Sequence, residues 1–201
     1  MERRYTKSIV ELRQEEQSDV IVGSAIVYDE PYFVYDGFIE YVRPGALDGA
    51  DLTDVLCTFN HEDECVLGRS INNKGNLKLM VNSKGLDYEC TSTDTTTFND
   101  CIKNIRAKIV NGNSFEFIVA KDEYEFDVLQ PDGSTATIRN ILKFKVIRAV
   151  NPVIKPAYLA TEIDAVKRSV DEIIEKRNKT EQPKEVSENY YLAQKFKFNL
   201  N

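Results

Sequence analysis

Asn111-Gly112-Asn113-Ser114-Phe115-Glu116-Phe117-Ile118-Val119 is the stretch whose reading decides the fold. Side chains alternate across a strand, so Phe115, Phe117 and Val119 share one face while Ser114 and Glu116 share the other. The segment just before it has a different period. Phe98, Ile102, Ile105 and Ile109 recur at steps of four, three and four, which is one face of an amphipathic helix. Thr97 is placed to cap that helix, with Asp100 three residues on as in a capping box. Asn111-Gly112 supplies a stop signal, because glycine tolerates the left-handed conformation that ends helices. A helix therefore hands the chain directly to a strand that begins at Ser114.

Short strand-like runs extend outward on both sides. Upstream are Tyr5–Leu12, Val20–Tyr28, Phe38–Val42 and Val55–Phe59, rich in β-branched and aromatic residues. Pro44-Gly45-Ala46-Leu47 breaks this pattern and is placed to open a short helix. Asn76–Val81 and Leu86–Thr91 alternate as a hairpin around Asn82-Ser83-Lys84-Gly85. Downstream, Tyr124–Leu129 and Thr135–Leu142 flank the turn signal Gln130-Pro131-Asp132-Gly133, and Phe144–Val150 is a further strand. Many short strands at roughly ten-residue spacing predict a barrel or sandwich with one or two helices packed on it. Ile163, Val166, Val170, Ile173 and Ile174 form a second helical stripe ending near Arg177. Beyond it, 178–188 is polar and reads as a linker, and Tyr190–Leu200 is an aromatic, basic tail. The tail reads either as a loosely ordered terminus or as a docking peptide.

The 201 residues fit one domain plus a tail better than two full domains. With 42% hydrophobic and 29% charged residues the profile is that of an ordinary soluble domain. The net charge of −7 argues against a phosphate backbone as partner, since nucleic-acid binding is carried by Lys and Arg. No run of 18 apolar residues occurs, so no membrane span is expected, and Met1–Tyr5 is not followed by the apolar segment of a secretory signal. The four cysteines, Cys57, Cys65, Cys90 and Cys101, form no C-x-x-C pair. With one histidine in the chain no Cys/His zinc spacing can be built, and the cysteines read as reduced, core-filling residues. Glu62, Asp63 and Glu64 lack the spacing of a cation loop. No cofactor or metal is expected.

That single histidine is His61, so any chemistry that needs an imidazole must use it. By itself a lone histidine is most often a surface or core residue. A serine nucleophile needs a base within hydrogen-bond reach and donors for the developing oxyanion. Residue types alone do not single out Ser114 among the serines.

The order of segments does. Gly23-Ser24-Ala25-Ile26-Val27-Tyr28 is similar to the opening strand of the tailed-bacteriophage prohead serine protease family. Glu40-Tyr41-Val42-Arg43-Pro44-Gly45-Ala46-Leu47 resembles its "E-x-x-x-P-G-A-F" segment. Asn60-His61-Glu62-Asp63 with Val66-Leu67-Gly68-Arg69 resembles "N-H-D … L-G-R". Gly85-Leu86-Asp87-Tyr88-Glu89 resembles "G-L-x-x-E", Asn113-Ser114-Phe115-Glu116-Phe117 resembles "M-S-F-G-F", and Asn151-Pro152-Val153-Ile154-Lys155-Pro156-Ala157-Tyr158 resembles "S-x-V-x-x-P-A-Y". Six pieces in the family's order, from about residue 20 to about 165, make the resemblance specific. It implies a β-rich α+β fold, a barrel-like antiparallel sheet with surrounding helices related to the herpesvirus assemblins. It implies His61 as general base and Ser114 as nucleophile. The implied function is cleavage of scaffold and capsid-protein extensions inside the procapsid, in the host cytoplasm. Its partners would be the scaffold and major capsid proteins, with self-association and self-cleavage, and the polar segment after Asn178 is an exposed place to cut.

One position departs from the family. Its acid, in an "E-V-S" strand, falls on Ala149, and a methyl group cannot orient an imidazole. Three readings fit: a Ser–His dyad, a substitute acid at Glu116 or Asp63, or a catalytically inactive capsid-assembly protein that retains the protease fold. The chain divides on this reading into a protease domain at 1–165, a helix at 166–177 and a linker and tail at 178–201.

Overall fold

A computed structural model describes residues 1–6, 8–15, 18–154, 167–168 and 170–177. The chain divides into two compact units, Met1–Glu162 and Ile163–Asn201. In the second, 167–168 and 170–177 are helical, which matches the part of the stripe at Val170, Ile173 and Ile174. Ile163 and Val166, Lys155–Tyr158, the segment after Asn178 and the aromatic tail lie outside the described residues.

Among its described residues the first unit holds twelve strands and one helix. The strands are β1 (Glu2–Thr6), β2 (Glu11–Glu15), β3 (Ser18–Val27), β4 (Pro31–Tyr35), β5 (Phe38–Val42), β6 (Asp54–Thr58), β7 (Val66–Ile71), β8 (Lys74–Gly75), β9 (Leu77–Asn82) and β10 (Gly85–Thr91); helix α1 (Thr96–Arg106) follows, then β11 (Gly112–Leu129) and β12 (Thr135–Val153). Eight strands form one sheet in the order β1-β11-β12-β6-β7-β8, with β5 also on β12 and β4 on β5. Four form a second, β2-β3-β10-β9. Both sheets and α1 feed a single apolar core that includes Phe115, Phe117 and Ile147 from the larger sheet, Ile21, Tyr88 and Cys90 from the smaller, and Phe98 and Ile102 from the helix.

The fold is thus β-rich α+β. Among the described residues neither sheet closes into a barrel, and the larger one is mixed rather than antiparallel. The reason lies in β12. Its 19 residues offer more edge than one partner covers. One side pairs with β11 along its length, and the other pairs in parallel with β5 near Ile138 and with β6 at Ala149–Val150.

Several local expectations change in the same way. The runs read as separate strands at 114–119 and 124–129, and at 135–142 and 144–150, are two long strands, because the polar breaks between them are register shifts and not turns. Tyr5–Leu12 splits between β1 and β2, which belong to different sheets. Pro44–Leu47 makes successive tight turns, with Ala46 N–H donating to Arg43 and Asp48 N–H to Gly45, in place of a helix. The cap of α1 is Thr95, whose hydroxyl accepts from Phe98 N–H, and not Thr97. The helix stops at Ala107, where Lys108 takes the left-handed conformation (φ 58°), so Ile109 falls beyond it and is exposed. The hairpin of β9 and β10 forms as the sequence indicates.

Cys57, Cys90 and Cys101 are buried in the core and Cys65 is half-buried; all four are free thiols. No helix among the described residues is long and apolar enough to cross a membrane.

The core reaches the strand of interest through Asn113. Its side-chain oxygen accepts from the buried Tyr88 hydroxyl at 2.7 Å, and its amide donates to the Ser8 carbonyl at 3.0 Å. Gly23 makes room for this pair, since a Cβ there would stand 2.2 Å from the Asn113 oxygen and 2.7 Å from the Tyr88 ring. Gly23→Ala is therefore expected to lower the unfolding free energy by about 1–3 kcal/mol, the usual cost of overpacking a tight core. Urea denaturation checks this through a lower midpoint.

Candidate active site

Alternation along β11 sends Phe115 and Phe117 into the core and leaves Ser114 and Glu116 on the opposite face. His61 arrives from the turn between β6 and β7. Asn60 and His61 both take left-handed backbone conformations (φ 54° and 65°), which are uncommon for residues with a Cβ and recur at functional sites. The turn is held in that shape by Asn60 N–H donating to the Pro152 carbonyl at 3.0 Å and by Cys65 N–H donating to Glu62 at 2.8 Å.

The three side chains meet. His61 Nε2 lies 2.7 Å from Ser114 Oγ, and His61 Nδ1 lies 2.6 Å from Glu116 Oε1. Little of this is open to solvent: Ser114 is 0% exposed, and the side chains of His61 and Glu116 are 6% and 9% exposed. Burial alone would raise the Glu116 carboxyl. The hydrogen bond from His61 and the positive charge of Arg3, whose Nε is 2.9 Å from the same oxygen, outweigh it and hold the group below its ordinary value. An ionised Glu116 accepts the proton on Nδ1, which leaves Nε2 as a bare lone pair facing the Ser114 hydroxyl. That hydroxyl has one proton and two acceptors in reach, Nε2 and the Arg4 carbonyl at 2.9 Å.

Asn151 completes the floor. Its oxygen accepts from both the N–H (3.0 Å) and the hydroxyl (2.8 Å) of Thr58, so its amide nitrogen is turned toward His61 Nδ1, 3.0 Å away. Tyr5 meets the imidazole edge-on, with ring centroids 5.7 Å apart. Asn151, Thr58, Arg3 and Tyr5 were not singled out from the sequence. The strand register points to three of them, since Ser114 pairs with Asn151 on one side and with Tyr5 on the other, and Glu116 pairs with Arg3.

Ser114, His61 and Glu116 thus converge, and Asp63 does not join them. It lines a pocket of about 210 Å³ beside Glu116, with Leu56, Thr58, Arg69 and Ala149, and makes no hydrogen bond to the imidazole. Cys57 points into the core, where a hydrogen bond with Cys90 and burial both push its thiol well above its ordinary value. Among the described residues no cluster of three or more His, Cys, Asp or Glu side chains is arranged to hold a metal ion.

A hydroxyl, an imidazole and a carboxylate in this order are the parts of a serine hydrolase. Comparison with protein families matches residues 7–176 to the caudovirus prohead serine proteases. The chain belongs to that family. Comparison with curated proteins and with solved structures returned no match. Prohead proteases are serine proteases of capsid maturation, so the family accounts for a site built around a serine. Ala149, the position at which the sequence resemblance leads one to expect an acid, is the direct cross-strand partner of Glu116. The Glu116 carboxylate stands on β11, directly across the ladder from the Ala149 methyl group on β12.

The depressed Glu116 value has a sign that can be checked. A carboxylate whose folded value is lowered adds stability above its unfolded value of about 4.3 and loses it as pH falls through the folded one. Thermal unfolding of wild type and Glu116→Gln from pH 3 to 5 should show wild type gaining on the variant as pH rises through the folded value of the carboxyl.

Proposed function

We propose that this chain is a serine endopeptidase in which Ser114 is the nucleophile, His61 the general base and Glu116 the acid that orients it. The unbroken line of hydrogen bonds from Ser114 Oγ through His61 to Glu116, at 2.7 and 2.6 Å, carries the reading. In attack on a peptide carbonyl the Ser114 proton passes to Nε2, and Glu116 stabilises the imidazolium that results. His61 then returns the proton to the leaving amine.

In the setting that the family supplies, the substrates are scaffold and capsid-protein extensions inside the procapsid, in the host cytoplasm. Self-association and self-cleavage belong to the same reading, with the polar linker after Asn178 as the place to be cut and 1–165 as the catalytic domain. The fold relationship to herpesvirus assemblins is proposed on the same basis. The alternative of an inactive capsid-assembly protein rested on Ala149. An acid reaching the imidazole from the opposite side of the ladder weakens it.

Ser114→Ala and His61→Ala should each abolish processing of co-expressed scaffold, followed by gel mobility and mass spectrometry. Glu116→Gln should lower the rate by about 10⁴-fold, as when a triad carboxylate becomes an amide. The pair Glu116→Gly with Ala149→Glu puts the acid where the family has it and should recover much of that loss. Processing that persists in Ser114→Ala or His61→Ala contradicts the assignment.

A further inference from the structure

Three consecutive residues of β1 each touch a different member of the site. Arg3 Nε is 2.9 Å from Glu116, the Arg4 carbonyl accepts from Ser114 Oγ at 2.9 Å, and the Tyr5 ring meets His61. β1 runs antiparallel to β11, with Tyr5 opposite Ser114, at the outer edge of the larger sheet. Ser114 beneath it is 0% exposed. An endopeptidase must bring a polypeptide carbonyl to its nucleophile, and in this arrangement the carbonyl already there is the chain's own.

The sheet leaves one place for such a substrate. β12 occupies one side of β11 throughout, so an extended peptide can pair with the nucleophile's strand only along the side that β1 holds. Adding a strand to a sheet edge is a common way to bind an extended peptide, with backbone hydrogen bonds giving affinity. β1 ends at Thr6, just before the matched residues 7–176 begin.

A second feature explains why β1 stays in place. On the face of β1 away from His61, Arg4 Nε and Nη2 reach the carboxylate of Glu40 at 2.8 and 2.6 Å, and Glu40 is 0% exposed. Glu2 is held in turn by Arg139 Nη1 at 2.6 Å. Removing one partner of a buried ion pair is strongly unfavourable, so these pairs bolt β1 to the sheet.

We propose that the β1-facing edge of β11 is the substrate-binding edge, taking an extended polypeptide backbone antiparallel to Ser114, and that β1 occupies it as an internal stand-in for substrate. The chain is then latent until β1 is displaced. This rests on the reading of Ser114 as the nucleophile of a protease.

Labelling of Ser114 in the full chain by a fluorophosphonate probe, followed by intact-mass spectrometry, tests it. Wild type should label slowly. Glu40→Gln loosens the bolt from the opposite face of the sheet, and Tyr5→Gly strips the ring from His61. A rate at least about tenfold above wild type in either variant supports the proposal, a factor well within what weakening a buried ion pair supplies. Simple damage to the fold lowers labelling and cannot mimic a gain. Rates equal to or below wild type in both variants overturn the proposal while leaving Ser114 as nucleophile. No labelling of Ser114 in any of the three chains overturns the nucleophile assignment, and the proposal with it.

Discussion

Residues 114–117 of β11 point alternately to the two faces of the larger sheet, and the site follows from that alternation. Phe115 and Phe117 are fully buried and stack on each other with ring centroids 4.9 Å apart. Burying two such rings is worth several kcal/mol, of order 1.5–3 kcal/mol for each side chain taken out of water. A one-residue slip of the strand would expose both and turn Ser114 and Glu116 inward. The apolar face thus fixes the register that sets the hydroxyl and the carboxylate on either side of one imidazole.

The imidazole must come from elsewhere, and its placement is more costly. His61 stands on two successive left-handed residues, a conformation that costs roughly 1–2 kcal/mol for each residue with a Cβ. Backbone bonds to Pro152 and within the turn offset this, and Asn151 ties β12 to β6 underneath. Which of the two paired strands carries the carboxylate decides its neighbours. On β12 a carboxylate would lie between β11 and β6. On β11 it faces β1, where Arg3 is its register partner. A carboxylate at position 116 therefore brings the N-terminal strand into the electrostatics of the site.

Much of this was legible in the sequence. The two periods around Gly112 give α1 and the start of β11, and the shared face of Ser114 and Glu116 follows from alternation alone. The lone histidine restricted the base to His61. What the sequence could not give depends on long-range pairing. The parallel contacts of β12 with β5 and β6 join segments about a hundred residues apart, and nothing local encodes them. The barrel expectation failed for that reason. The choice between Glu116 and Asp63 turned on the same point: Asp63 is close in sequence to His61, but the left-handed turn carries it to the pocket beside Glu116 and away from the ring. The cap at Thr95 was missed because three consecutive threonines, 95–97, all satisfy the cap chemistry and only the backbone distinguishes them.

Because the chain has one histidine, its imidazole resonances need no assignment among candidates. Nitrogen and proton NMR of His61 near neutral pH therefore tests the central claim most directly. The account predicts a proton on Nδ1, strongly deshielded by the Glu116 carboxylate 2.6 Å away, and loss of that signal in Glu116→Gln. A ring that carries its proton on Nε2, or an Nδ1 signal indifferent to Glu116→Gln, would contradict it.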